Sequence, residues 1–194
     1  MPKLGMEPIR RAALVTATIS EIGRTGSLDV TVSQIARRAG MSAALAHHYF
    51  GSKEDMFLAA MRQVMTIYGA EVRGALALAR DPEARVQAVL IASFSPANFR
   101  RESVGAWLNF WVMSQTVPQA RRLLAIYQRR LRSNLLAGLR PLAGARAEAV
   151  ADGLGALIDG LYLREVLKSG PPDGLAAVRV AQDYLRGELA VPAA

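Results

Sequence analysis

The chain has 194 residues, 52% hydrophobic and 21% charged, which is enough apolar content for a buried core and excludes a disordered chain. It has no cysteine and only two histidines, adjacent at His47 and His48, so disulfides, cysteine-held zinc, iron–sulfur clusters and thiol nucleophiles are excluded and little remains for a Ser-His-Asp triad. The formal net charge of +8 points to an acidic partner, most simply nucleic acid.

No apolar run approaches the ~18–20 residues of a membrane helix. The opening MPKLGMEPIRR has no apolar signal segment, so the expected compartment is the cytoplasm. Residues 7–26 read as a first helix, in which Val15, Ile19 and Ile22 recur at helical spacing and Gly26 ends the run. Thr31 is placed to cap a short helix through about Arg38. Gly40 breaks it, and Ser42 caps another to about Tyr49. After Gly51-Ser52 a long helix runs from Lys53 to about Arg80, with Glu54 and Asp55 suited to its positive N-terminus. Asp81-Pro82 opens the next, with proline at the first helical position. Helices follow at about 82–95, 100–115, 118–139, 144–168 and 172–189, with breaks near Pro96, Pro118, Pro141 and Pro171-Pro172. The alternation of Leu28, Val30 and Val32 is better explained by Thr31 as a helix cap than by a strand. The expected fold is all-α with about nine helices: a small N-terminal domain at 1–52 and a larger helical body at 53–194.

The segment TVSQIARRAGMSAALAHHYF at 31–50 carries the most specific pattern. Two short helices meet at Gly40-Met41, where glycine suits a left-handed backbone. Val32, Ile35 and Ala36 face inward, Ala39 and Met41 fill the corner, and Leu45 anchors the second helix. This is the pattern of a helix-turn-helix, whose second helix enters the DNA major groove. The alternative is an ordinary helical corner packed as core. Ser42, Ala43, Ala44, Ala46 and His47 lie toward the outer side of the second helix. Alanine is a poor hydrogen-bond reader but can contact a thymine methyl, so His47 is the best polar reader. Thr31, Ser33, Ser42, His48, Tyr49 and Lys53 are candidate phosphate contacts, which position without specifying. Lys3, Arg10 and Arg11 are placed for a basic arm. His47 and His48 point ~100° apart on a helix and have no carboxylate near them, so no metal site is read there, and no cofactor is called for. A second arginine group, Arg121, Arg122, Arg129, Arg130 and Arg132, reads as a solvated face pairing with acids.

The block TVSQIARRAGMS…HHYFGSKEDMF resembles the DNA-binding domain of TetR-family repressors. The family's usual ending has tyrosine, a variable residue, then His-Phe; here His47 stands at the tyrosine position and Tyr49 at the histidine position. Thr31 and Lys53 fall where the family usually contacts phosphate. The start MPKLGMEPIRR, HHYF, WLNFW at 107–111 and ALIDGLYLR at 156–164 resemble one subgroup, the choline-responsive repressors of the choline-to-glycine-betaine genes, over nearly the whole chain. The resemblance implies a homodimeric, non-enzymatic repressor that binds double-stranded operator DNA and takes choline as effector. It also implies that the body at 53–194 binds the effector and that its last two helices form the dimer interface.

Trp107, Phe110 and Trp111 share one helix face. Asp159 and Tyr162 share another, and aromatic rings with a carboxylate suit a quaternary ammonium. Phe94, Phe99 and Tyr127 are further wall candidates. Core packing is the competing reading for the stripe. Two other functions stay open at this level: a repressor answering another cationic or hydrophobic molecule, and a helical enzyme with an aromatic pocket. Against the enzyme, no nucleophile–base pair, paired-carboxylate motif or phosphate loop has usable spacing.

Overall fold

The structure is a computed structural model and describes residues 5–191. The described residues form nine α-helices and one 3₁₀ turn, with no strand. The helices are α1 (Met6–Thr25), α2 (Val32–Arg38), α3 (Ala43–Phe50), α4 (Lys53–Leu78), α5 (Pro82–Ser93), α6 (Arg101–Thr116), α7 (Pro118–Ala143), α8 (Ala147–Leu167) and α9 (Gly174–Ala190). The all-α class, the helix count and most of the starts match the spacing and capping signals of the sequence.

Pro141 is an exception. A break was expected there, but α7 runs through it to Ala143. Proline removes one N–H and leaves the carbonyl four residues back without its partner. Here the orphaned carbonyl is that of Ala137, and the helix runs only two residues beyond Pro141, to Ala143. The stop comes at Gly144, whose φ of 53° is left-handed.

Two compact units emerge, divided inside α4 after Val64 and inside α7 after Leu123. The first takes the chain to Val64 together with Arg101–Leu123, so α6 belongs with the N-terminal helices rather than with the body expected from chain order. The second takes Met65–Arg100 and the chain from Leu124 onward.

In the first unit α1 packs on α6. A Cβ on Gly23 would stand 2.4 Å from the Glu102 Cα, and one on Gly105 would stand 3.2 Å from the Gly23 Cα. The two backbones therefore meet at paired glycines, a contact closer than any side chain permits. Around it Leu14, Ile22, Ile35, Met56, Met61 and Phe110 are fully buried. Glu21 is buried at 4% exposure and ties α1 to α2 by accepting from Arg24 at 2.8 Å and from Arg38. The Arg24 hydrogen bond is the largest influence on its carboxyl, burial opposes it and Arg38 adds to it; the net effect holds the pKa below the usual range.

In the second unit α9 packs on α5 and α8. Leu90, Leu135, Leu139, Leu154, Ile158 and Leu185 form its core. Asp173 caps α9 through the Ala176 N–H at 2.9 Å, and its own N–H donates to buried Glu165 at 3.2 Å. Arg132 of α7 holds α8 through Asp152 at 2.7 Å and Glu148 at 3.1 Å.

Candidate functional site

The head of the first unit is built from local caps. Thr31 and Gln34 form a reciprocal box: the Gln34 N–H donates to the Thr31 hydroxyl at 3.2 Å, and the Thr31 N–H donates to the Gln34 side chain at 2.7 Å. Helix α2 ends at Gly40, φ 67°, with the Met41 N–H on the Ala36 carbonyl at 2.9 Å and the Gly40 N–H on the Arg37 carbonyl at 3.1 Å. These two bonds make a Schellman ending, which needs a left-handed residue at this position. Ser42 then caps α3 by accepting from the Leu45 N–H at 3.2 Å.

On α3, Ala44, His47 and His48 are exposed, Ala43 and Tyr49 half-buried, and Ser42 exposed just before it. Ala46, expected toward the outer side, is fully buried, and Leu45 is only half-buried. Helix α3 packs on α1 and α2, and Ala46 holds the buried position that was expected of Leu45. Thr31 and Ser33 are exposed at the start of α2, and Lys53 opens α4 with its Nζ 5.3 Å from the Phe57 ring centroid. His47 Nδ1 lies 3.1 Å from the Gly51 carbonyl oxygen. Arg10 donates to the Tyr49 hydroxyl at 3.4 Å; Arg11 donates to the Tyr49 carbonyl and lies 4.5 Å over the Phe50 ring. Both arginines thus clamp α1 to α3, and Lys3 lies outside the described residues.

Trp107, Phe110 and Trp111 lie in this same unit. Trp107 and Phe110 are buried and Trp111 half-buried, with the two indole centroids 6.4 Å apart. Asn109 donates to its own helix at the Gly105 carbonyl, 2.9 Å. Arg121 closes the end of α6 by donating to the Ser114 and Gln115 carbonyls at 3.2 and 2.8 Å.

Asp159 and Tyr162 belong to the second unit, where a different aromatic set surrounds them. Phe94, Phe99 and Tyr162 form a mutually packed trio with centroids 4.8–5.9 Å apart. Tyr68 and Tyr127 stand edge to face at 5.4 Å. One serine orients two of the phenols. The Ser93 hydroxyl donates its only hydrogen to the Val89 carbonyl at 2.8 Å, so Tyr68 donates to Ser93 Oγ at 3.3 Å. Tyr162 donates to the Ser93 carbonyl at 2.5 Å.

Asp159 sits beside these rings with one carboxylate oxygen buried and accepting no hydrogen bond among the described residues. Burial pushes its pKa up to about 6. Burial also raises all three tyrosines, Tyr68 to about 12, and the Asp159 charge raises each of them further. Tyr68 and Tyr127 line a cavity of about 340 Å³, walled by Val72 and Leu76 and bordered by Arg73, Arg130 and Asn134. Tyr68 was missed at the level of sequence, because it falls in the buried α4 stripe Phe57, Met61, Val64, Tyr68, Val72, where an aromatic reads as core.

Residues 14–60 match the family described as bacterial regulatory proteins, tetR family, and residues 82–190 match the BetI-type transcriptional repressor C-terminal family. The chain belongs to the TetR family of transcriptional regulators, with a BetI-type C-terminal domain. It is 47% identical over 190 residues to the HTH-type transcriptional regulator BetI of Brucella suis (strain ATCC 23445 / NCTC 10510), covering 97% of this chain and 96% of that protein. It is 50% identical over 190 residues to BetI of Rhizobium meliloti (strain 1021), covering 97% and 94%. Among solved structures it is similar to a transcriptional regulator from Pseudomonas aeruginosa PAO1, with TM-score 0.80, 28% identity and coverage of 97% and 93%. A regulator from Saccharomonospora viridis, solved in complex with choline, shares the fold with TM-score 0.77, 22% identity and coverage of 91% and 95%. The helix-turn-helix is therefore the DNA-binding head of a TetR-type repressor. The relatives are transcriptional regulators, and the enzyme alternative is set aside. No described helix is long and apolar enough to cross a membrane.

Proposed function

We propose that this protein is a homodimeric repressor of choline-to-glycine-betaine genes that releases its operator when choline binds the second unit. The observation that carries the effector reading is Asp159: a buried carboxylate oxygen without a hydrogen-bond donor, among tyrosine rings that its charge reaches. A buried carboxylate without a partner is costly, and a cation supplies the missing charge. A quaternary ammonium has no N–H to satisfy and gains ~0.5–2 kcal/mol per ring face once desolvated. Phe94, Phe99, Tyr127 and Tyr162 pack round the same region, and the name of the relatives and the choline held by a protein of this fold agree with that chemistry. Trp107, Phe110 and Trp111 form an aromatic face of the first unit, for which core packing is the competing reading.

The dimer reading rests on α8 and α9. Gly155 and Gly160 have nothing within 4 Å of a built Cβ, while Leu163, Leu167, Leu175 and Val180 are exposed. Mid-helix glycine costs ~1 kcal/mol against alanine, and close approach of a second copy offsets it. Thr31, Ser33, Ser42, His48, Tyr49 and Lys53 are assigned to phosphates, and Ala43, Ala44 and His47 to base edges. Helix α4, which begins at Lys53 and carries Tyr68, is the covalent link between effector and head.

Operator binding measured with and without choline tests the proposal. Choline lowers operator affinity, and an uncharged isostere with carbon in place of nitrogen binds much more weakly. Equal binding of the isostere overturns the cation site. A stable monomer in sedimentation at micromolar concentration overturns the dimer. Lys53→Ala weakens binding across all sequences, whereas a selection with His47→Ala yields a changed motif.

A further inference from the structure

Of the side chains assigned to base edges on α3, Ala43, Ala44 and His47, only the histidine is polar, and its surroundings fix its chemistry. The His47 Nδ1 lies 3.1 Å from the Gly51 carbonyl oxygen. A carbonyl oxygen only accepts, so Nδ1 carries the hydrogen of that bond. In a neutral imidazole it is the ring's one N–H, and Nε2 is left as a bare acceptor. Gly51 brings its carbonyl to the ring by closing α3 with φ 73°, a left-handed backbone that glycine adopts without strain. Its own N–H donates to the His47 carbonyl at 2.7 Å. One glycine thus ends the recognition helix and latches the ring, while His47 stays exposed.

The tautomer sorts the partners. Phosphate oxygens only accept, so a neutral ring latched in this way has no hydrogen left for them. In the major groove the adenine N6 and cytosine N4 amino groups donate, whereas guanine N7 and O6 and thymine O4 accept. A bare nitrogen bonds the first pair and is repelled by the second. We propose that His47, held by Gly51 with Nε2 free, reads an amino group and selects adenine or cytosine over guanine or thymine at one position of each half-site. The inference rests on the base-edge assignment of His47 made above and adds the class of base it takes. It also makes Gly51 a positioning residue for recognition. Adenine and cytosine share the amino donor, so the choice between them comes from experiment.

The test uses the full-length protein at pH 8.5, where free imidazole is neutral. Operator selections with the wild type, His47→Ala and His47→Arg locate the position. The wild type takes adenine or cytosine there, His47→Ala loses the preference, and His47→Arg, which has donors only, moves it to guanine. The selected base is then replaced in a synthetic operator by its analogue without the amino group, purine for adenine or pyrimidin-2-one for cytosine. Wild-type affinity falls about fivefold, the loss of one hydrogen bond. The affinity of His47→Ala changes by less than about twofold, and that comparison cancels any effect of the analogue on the duplex itself. A nitrogen-15 spectrum of the free protein finds the His47 hydrogen on Nδ1, with His48→Gln telling the two histidines apart. A selection left unchanged by His47→Ala overturns the base-edge assignment and this inference together. Wild-type preference for guanine or thymine at the affected position, or an equal loss with the analogue in both proteins, overturns the amino-group reading and leaves His47 at a base edge. A hydrogen on Nε2 in the free protein overturns the latch and with it the inference.

Discussion

The two units handle buried charge in opposite ways. In the first, Glu21 is buried but accepts from Arg24 and Arg38, and its carboxyl pKa lies below the ordinary range. In the second, Asp159 is half-buried, with one buried oxygen that accepts no hydrogen bond among the described residues, and its pKa rises to about 6. One acid is structural cement between α1 and α2. The other is a standing cost that the fold tolerates. A satisfied buried acid holds an arrangement in place, and an unsatisfied one is available to a ligand.

The largest expected effect tests the rigid side of that contrast. Gly23→Ala forces a Cβ to 2.4 Å from the Glu102 Cα, where only backbone movement gives relief. Overpacking of this kind costs ~1–3 kcal/mol or more, so thermal unfolding shifts down by several degrees and operator binding falls with it. Thermal denaturation and a gel shift check this. Retention of both would show that the α1–α6 contact is looser than described.

Asp159→Asn comes next. Removing the charge deletes the partner for a cation, and choline affinity falls at least tenfold in calorimetry. The same change removes a desolvated charge, so at pH 7.5 the melting temperature rises by roughly 2–4 °C, the shift of ~1 kcal/mol in a chain of this size. A variant that loses stability and keeps choline would place the carboxylate among structural groups.

Acid titration separates the two carboxyls without mutation. Asp159 has a raised folded pKa, so its protonated form is favoured on folding; the stability this contributes is fully present below the unfolded carboxylate range and is lost as pH rises through about 6. Glu21 has a lowered folded pKa, so its contribution is present above the unfolded range and is lost as pH falls through the folded value. At pH 5 Asp159 is therefore mostly protonated and Glu21 still ionised. Choline affinity falls about tenfold between pH 7.5 and 5 if one charge is what binds it. The melting temperature does not fall in parallel.

The smallest effect is Thr31→Ala, which removes one half of the capping box on α2. It costs ~1 kcal/mol, read as a modest downshift in melting temperature.

Local signals were legible in the sequence, and distant ones were not. Thr31, Gly40 and Ser42 act within three or four residues of themselves, so the two short helices and their turn could be placed from spacing. Asp159 and Tyr162 of ALIDGLYLR and the phenylalanines at 94 and 99 are legible too, because ring and carboxylate types carry their chemistry with them. The grouping was hidden. Nothing local shows that Ser93 gathers Tyr68 and Tyr162, that the tryptophans fall in the other unit, or that α6 packs with α1 through Gly23 and Gly105. Ala46 shows the limit most sharply. Its methyl carries little apolar area, and only the packing of α3 on its neighbours makes it a fully buried position.

Tyr68 lies 15 residues after Lys53 on one uninterrupted helix, about 22 Å along its axis at ~1.5 Å per residue. At ~100° per residue the two side chains differ by only about 60° in phase. Phe57, Met61, Val64 and Val72 fill the same stripe with apolar groups, and Tyr68 alone in that stripe has a hydroxyl. Its bond to Ser93 acts as an index pin, setting the rotational phase of α4 at one turn while the rest of the stripe sets only its depth. Tyr68→Phe keeps the ring and withdraws the pin. The ring then stays in the stripe, and the direction that Ser93 gives it is lost.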